Sequence, residues 1–329
     1  MDSRQSSGDN TVTIGKLFAA FCLAAACGAQ AQSGYPAKPV RVIVPFSAGG
    51  VTDIGARVVT DRLSQLLGQP FIIENRPGAG TKLGTEVAIK APKDGYTLYL
   101  SNASYAILPV VDPAAGYDPE KDLLPVRTLA TYGLSIVVNP ALPVKTLGEF
   151  IDYARRNPGR LNYGSAGPGS GVHFAGEWLK HMTGIQMVHV PYRSTSLAVQ
   201  DVAGGRLDMT MDGAVKPYVD SGKVRLLAVT DTRRDPRFPD TPTVAEAGLP
   251  GFQQVSWLGL FAPVGVPAEV VARLNEALNE IVKDATVRRR LADLGMSPVP
   301  GPPDDLQRRV GDDARLYRRI AREAQLRFE

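Results

Sequence analysis

Residues 40–67 read VRVIVPFSAGGVTDIGARVVTDRLSQLL. The run from Val40 to Pro45 is almost continuous in branched apolar residues, as a strand covered on both faces requires. Beyond the Gly49-Gly50 turn, Ile54, Val58, Val59, Leu63, Leu66 and Leu67 recur at helical spacing, which predicts a helix from Thr52 to Leu67. A buried strand, a glycine turn and an amphipathic helix form the repeating unit of an α/β fold, whose crossovers make neighbouring strands parallel.

Working outward, the same unit recurs. Phe71 to Glu74 reads as a strand, and Pro77-Gly78-Ala79-Gly80 leads into a helix near Thr81 to Ala91 that Pro92 and Gly95 stop. Tyr96 to Leu100 is a third strand. After a loop rich in Pro and Asp, around Asp112 to Pro125, strands are predicted at Leu134 to Val138, Leu161 to Ser165, Met187 to Val190, Leu207 to Met211 and Leu226 to Val229. Helices are predicted at Thr146 to Asn157, Val172 to Thr183 and near Leu197 to Gly204. A Pro-rich passage, Asp235 to Pro242, precedes a strand at Trp257 to Phe261, and two or three helices close the chain, the first opened by Pro267 and the last spanning about Pro303 to Arg327. No internal repeat or low-complexity tract is visible, and two α/β lobes account for the pattern.

Composition excludes several classes. At 44% hydrophobic and 21% charged the chain has the apolar content of a folded protein, and its 33 Gly and 26 Pro follow no collagen period. The 37 basic and 33 acidic residues, net +4, are too evenly mixed for a dedicated nucleic-acid binder. The Arg288-Arg289-Arg290 run and the Arg308-Arg309 and Arg318-Arg319 pairs alternate with acids and read as solvated helix faces. At the amino terminus, Arg4 and Lys16 precede an apolar stretch, Leu17 to Ala26, and then Ala29-Gln30-Ala31, the pattern of a secretory leader cut after Ala31. That stretch is too short for a membrane span, so a soluble periplasmic chain of about 298 residues is expected. Both cysteines, Cys22 and Cys27, fall inside the leader, which leaves the mature chain without a disulfide or a thiolate. A rival reading makes Cys27 the lipidated first residue of a lipoprotein, although Ala24 stands where such a signal usually has Leu.

Ligands of α/β proteins collect at the carboxyl ends of parallel strands. Phe46-Ser47-Ala48-Gly49-Gly50-Val51-Thr52-Asp53 joins a strand to a helix there, where glycine-freed N–H groups and the helix dipole can hold a carboxylate without a cationic side chain. Taken alone it reads equally well as a tight turn capped by Thr52 or Asp53, and it matches neither nucleotide-binding glycine pattern. Ser165-Ala166-Gly167-Pro168-Gly169-Ser170-Gly171 repeats the arrangement in the second lobe, and two such loops facing one cleft favour a ligand. Asn102-Ala103-Ser104 and Asp212 occupy the matching sheet edges, Asp212 as a ligand acceptor or a helix cap. Enzyme signals are weak: Tyr163 stands where a nucleophile elbow at Ser165 needs glycine. His173, Glu177 and His181 lie at i, i+4 and i+8 but spread about 80° around the axis, which suits ordinary polar positions, His173 beside the ligand loop, better than one zinc ion.

The words YPAKPVRVIVPFSAGGVTDIGAR, IIENRPGAGTKLGTEVAIKAPKDGYTLYL, LNYGSAGPGSGVHFAGE, HVPYRS, RLDMTMD and PDTPTVAEAGLPGF stand in the order and spacing of a known family. From about Tyr35 to the carboxyl terminus the chain resembles the periplasmic substrate receptors of tripartite tricarboxylate transporters, the Bug receptors. The resemblance implies a two-lobed "Venus flytrap" periplasmic-binding-protein fold, each lobe a mostly parallel sheet flanked by helices, with two crossing hinge strands. Domain 1 would take residues 32–134 and 259–329, and domain 2 residues 135–258. It also implies a small organic carboxylate held by backbone N–H groups and waters, no cofactor or metal, and membrane transporter subunits as partners. Ligand contact is carried onto Phe46, Ser47, Ala48, Gly49, Gly50 and Asp53, onto Asn102 and Ser104, onto Ser165, Ala166, Gly167, Gly169 and Ser170, and onto Pro191, Tyr192 and Asp212. The chain departs from the family's usual words at Ser47-Ala48-Gly49-Gly50, Tyr192-Arg193-Ser194 and Met211-Asp212-Gly213. A sensor that signals to a membrane partner would share the same pocket, and a carboxylate-acting enzyme would need an acid, base or metal that the sequence does not display.

Overall fold

A computed structural model describes residues 34–302 and 304–326. The predicted leader, including both cysteines, lies outside the described residues. Lys38 to Glu329 forms one compact unit, and of the unit before it only residues 34–37 are described. Among the described residues no helix is long and apolar enough to cross a membrane.

The first sheet takes strands from two distant parts of the chain. β1 (Val40–Val44), β2 (Phe71–Asn75), β3 (Thr97–Ser101), β4 (Leu123–Gly133), β10 (Val255–Pro263) and β11 (Ser297–Pro298) run in the order β11-β4-β10-β3-β1-β2. The second sheet, ordered β7-β6-β8-β5-β9, contains β5 (Ser135–Val138), β6 (Leu161–Ser165), β7 (Met187–Pro191), β8 (Met209–Asp212) and β9 (Arg225–Val229). Both sheets are mixed. β1 pairs parallel with β2 and β3, and β6 with β7 and β8, where helices cross between strands. The antiparallel pairs, β10 with β3 and β4, β11 with β4, and β5 with β8 and β9, each include a strand that adjoins one of the two passages between sheets. Those passages are Gly133-Leu134, between β4 and β5, and the residues just before Val255.

Each parallel strand delivers a helix start to its carboxyl edge. α1 (Val51–Leu67) follows β1, α2 (Lys82–Ile89) follows β2, and α3 (Ser104–Val111) follows β3; in the second lobe α4 (Leu147–Arg156) precedes β6, α5 (Gly171–Thr183) follows β6, α6 (Thr195–Ala203) follows β7 and α7 (Lys216–Asp220) follows β8. α8 (Ala268–Ile281), α9 (Ala285–Ala292) and α10 (Asp305–Glu323) return to the first sheet. Val42, Ile43 and Val44 are completely buried, which confirms the two-faced cover read from their sequence. α1 stops at Gly68, whose φ of 69° is the left-handed cap that glycine adopts without strain. Under the first sheet Tyr99, Tyr105, Tyr117 and Phe261 form one aromatic cluster, with Tyr105 stacked on Tyr117 at 5.2 Å.

Three elements differ from the sequence reading. The Pro- and Asp-rich stretch ends in β4, an 11-residue strand that Pro125 and Arg127 disguise. α3 carries no helical stripe because all sides of Tyr105-Ala106-Ile107-Leu108 are buried, and Pro109 interrupts it. α7 is a single short turn of helix opened by Pro217.

Candidate functional site

The starts of four helices converge between the lobes. Gly50, Val51 and Thr52 of α1, Ser104 of α3, Ser170, Gly171 and Val172 of α5, and Ser194 and Thr195 of α6 line one cavity of about 40 Å³. Phe46, Asn102, Tyr132, Leu134, Ala166, Asp212, Gln254 and Ser256 complete its wall. A helix start offers N–H groups with no partner inside the helix and the positive end of its dipole. The lining contains no Lys or Arg, and its one carboxylate is Asp212.

The lobes are closed on this cavity. The Gly171 N–H donates to Ser104 Oγ at 3.0 Å and Ser47 Oγ to the Arg193 carbonyl at 3.4 Å, both across the cleft. Gln254 Nε2, on the passage between lobes, donates to the Gly171 carbonyl at 2.9 Å. On the first lobe's floor, Asn102 Nδ2 donates to Thr52 Oγ1 at 2.9 Å and to the Tyr132 hydroxyl at 3.3 Å. Tyr132 stands opposite Ser256 in the β4/β10 register, so the two crossing strands supply the cavity's back wall.

The proposed contact residues divide into two groups. Phe46, Gly50, Asn102, Ser104, Ala166, Ser170 and Asp212 line the cavity, whereas Ser47, Ala48, Gly49, Asp53, Ser165, Gly167, Gly169, Pro191 and Tyr192 stand behind or beside it. Asp53 is buried beneath its loop, accepting from the Gly49 N–H at 2.9 Å, Asn75 Nδ2 at 2.8 Å and Arg57. Burial pushes its carboxyl up, but Arg57, Asn75 and the Gly49 N–H outweigh that and hold it below the usual range. Tyr192 turns its hydroxyl to Asp201 at 2.8 Å, and Pro191 is exposed. Gly49 and Gly169 have φ of 86° and 78°, so both serve the backbone path of their loops.

Two imidazoles underpin the second loop. His173 Nδ1 accepts the Gly169 N–H at 3.1 Å, and His189 Nε2 lies 2.7 Å from Ser165 Oγ. The rings stack at 3.9 Å. Burial, then the neighbouring His189 ring and Lys180, push His173 down to about 3. Asp212 accepts from the Ala214 N–H at 2.6 Å and from the Thr195 hydroxyl, and it caps no helix. Burial raises its pKa, against the pull of Thr195, the Ala214 N–H and Arg237.

Sequence reasoning assigned no ligand contact to Val51, Thr52, Tyr132, Leu134, Gly171, Val172, Ser194, Thr195, Gln254 or Ser256, all of which line the cavity. The available signals were Ser194 and Thr195 at the start of α6 and the alternation along the two crossing strands. A larger groove of about 1430 Å³ lies on the other face of those strands, lined by Thr131, Gly133, Val255 and Trp257. It is bordered by ion-paired arginines such as Arg234 and Arg309, and no convergence of helix starts marks it.

The sequence profile of the "Tripartite tricarboxylate transporter family receptor" matches residues 55–326. Protein BugT of Bordetella pertussis is 34% identical over 293 residues, covering 88% of this chain and 90% of that protein. The solved structure of R. palustris Rpa4515 with adipate superposes with a TM-score of 0.86 at 35% identity, covering 89% of this chain and 99% of that one. MatC from Rhodopseudomonas palustris with bound malate gives 0.83 at 35% identity, covering 87% and 99%. The profile's extent, the full-length relatives and the shared two-lobed fold place this chain in the tripartite tricarboxylate transporter receptor family, alongside BugT.

Proposed function

We propose that the chain is an exported receptor that binds a small organic carboxylate in the interlobe cavity and delivers it to membrane subunits of a tripartite tricarboxylate-type transporter. The observation that carries this reading is the convergence of four helix starts on a cavity without Lys or Arg. Neutral, oriented N–H and hydroxyl donors suit a carboxylate, and their geometry selects its shape. Similar proteins hold adipate and malate, which supports the acid class. The lobes are proposed to move as domains, residues 32–134 with 259–329 against 135–258, after export and cleavage behind Ala31.

The reading includes no catalysis. Among the described residues, Ser165 and His189 have the look of a nucleophile and base, yet Ser165 is fully buried, and its Oγ also bonds to Gly167 N–H and carbonyl. Nothing in that arrangement presents Oγ to a substrate.

Mass spectrometry of ligand released from purified protein, followed by calorimetry with mono-, di- and tricarboxylates, tests the assignment. A carboxylate released and rebound with unit stoichiometry is the expected result. Failure of every acid to bind, or turnover of one that does, overturns it. The intact mass decides the export step: a chain starting at lipidated Cys27 contradicts cleavage behind Ala31.

A further inference from the structure

Arg237 lies in the Pro-rich passage of the second lobe, and its side chain is only 9% exposed. Its Nε and Nη2 grip Asp235, at 3.0 and 2.6 Å to Oδ2. That leaves Nη1, which donates to the Gly213 carbonyl at 2.8 Å within the same lobe and to the Asp293 carbonyl at 3.3 Å in the first lobe. Asp293 caps the carboxyl end of α9, where unpaired carbonyls and the negative end of the helix dipole attract a cation. The guanidinium lies over the Phe238 ring at 5.3 Å, which fixes its plane.

The first lobe is shaped to admit it. Gly295, just past α9, has φ of 74°, and a Cβ there would overlap the Arg237 guanidinium. Gly213 immediately follows Asp212 in the cavity wall, so Arg237 touches both the rim of the site and the opposite lobe.

We infer that Arg237 is an interlobe latch: it stabilises the closed form by seating the second lobe's guanidinium in the Gly295 notch at the end of α9, without touching ligand. Asp235 and Phe238 hold it ready, so closure orders little additional side chain. The latch keeps a closed population even without ligand, and it slows ligand escape. This inference deepens the receptor reading above, and its closing experiment separates the two.

The Gly171 amide reports closure directly, since its hydrogen bond to Ser104 crosses the cleft. Amide hydrogen exchange of the full exported chain without ligand should show Gly171 protected in the wild type. Arg237→Met should lower that protection about tenfold, the loss expected for one charge-assisted bond between lobes. Arg237→Lys should fall between, because an ammonium cannot grip Asp235 through two nitrogens and still reach Asp293. Gly295→Ala, which fills the notch and strains the backbone at the end of α9, should reproduce the Met variant. Amides of β1 should keep their protection throughout, which a merely structural role for Arg237 does not predict. With malate or adipate as probe, dissociation should quicken about tenfold while association stays within about twofold. An unprotected Gly171 in the wild type, or unchanged exchange in all three variants, overturns the latch. If exchange shifts as described but neither malate nor adipate nor any other tested acid binds, the latch stands and the carboxylate reading falls.

Discussion

At Gly213 a hydrogen atom stands where a Cβ would meet Val51 Cγ2 at 2.8 Å and face the Leu294 carbonyl at 3.5 Å. Glycine at this position therefore lets the two lobes approach closely. Gly213→Asn is expected to wedge the second lobe away from α1 and to weaken ligand binding about tenfold or more. Calorimetry with any acid that binds the wild type checks this; unchanged affinity contradicts it. His173 makes a second prediction at this scale. Its pKa is driven down to about 3 by burial and by His189, whereas an unfolded histidine titrates near 6.5. The unfolded chain thus takes up a proton first as pH falls. The neutral ring's contribution is fully present above about pH 6.5 and is lost progressively below it, by about 2 kcal/mol between pH 7 and pH 5. Urea unfolding at both pH values should show a steeper acid loss in the wild type than in His173→Gln, and equal slopes would refute the assignment.

Among elements, the joint between α3 and α5 is the most direct test of the closed cleft. Ser104 Oγ accepts the Gly171 N–H and, with Asn102 Oδ1 accepting the Ser104 N–H at 2.9 Å, it fixes the start of α3 against the second lobe. Ser104→Ala should reduce affinity about tenfold while lowering thermal stability little, because it leaves one N–H facing the cleft rather than a hole in the core. A large loss of melting temperature with intact binding argues the reverse. Elements whose sequences bury both faces or show a clear stripe were legible: β1, β3, α1 and α8 stand within a few residues of their expected bounds. β4 was not, since Arg127 and Thr128 are buried beside β10, with Arg127 reaching Asn279 of α8, neighbours that a local reading cannot see. The glycine loops were legible for the same local reason that they work, as strand-to-helix turns. Tyr132, Gln254 and Ser256 enter the same cavity only because strands 124 residues apart in sequence, as at Tyr132 and Ser256, lie side by side.

For the whole molecule, two passages connect the lobes, at Gly133-Leu134 and before Val255, and thin double connections favour rotation about a hinge. The closed cavity, at about 40 Å³, is close to the space of one water molecule, so under the proposed function the lobes must part for an acid to enter. Small-angle scattering of protein verified empty and protein verified loaded should give a smaller radius of gyration when loaded. Superimposable curves leave a rigid pocket as the better description. The expectation of domain rotation rests only on the resemblance of motifs, because no local residue pattern encodes which strands cross between lobes.

The absence of Lys and Arg from the cavity lining has a consequence for the medium in which the receptor works. Donors that are neutral dipoles attract an anion only at close range, so dissolved salt has little of their field to screen. Raising sodium chloride from about 0.01 to 0.5 M, which shortens the Debye length from about 30 Å to a few Å, should change the association rate of an acid ligand by less than about threefold. An arginine-lined pocket would lose far more. Capture efficiency would then hold steady as external salinity rises and falls, and stopped-flow traces across that series would show it.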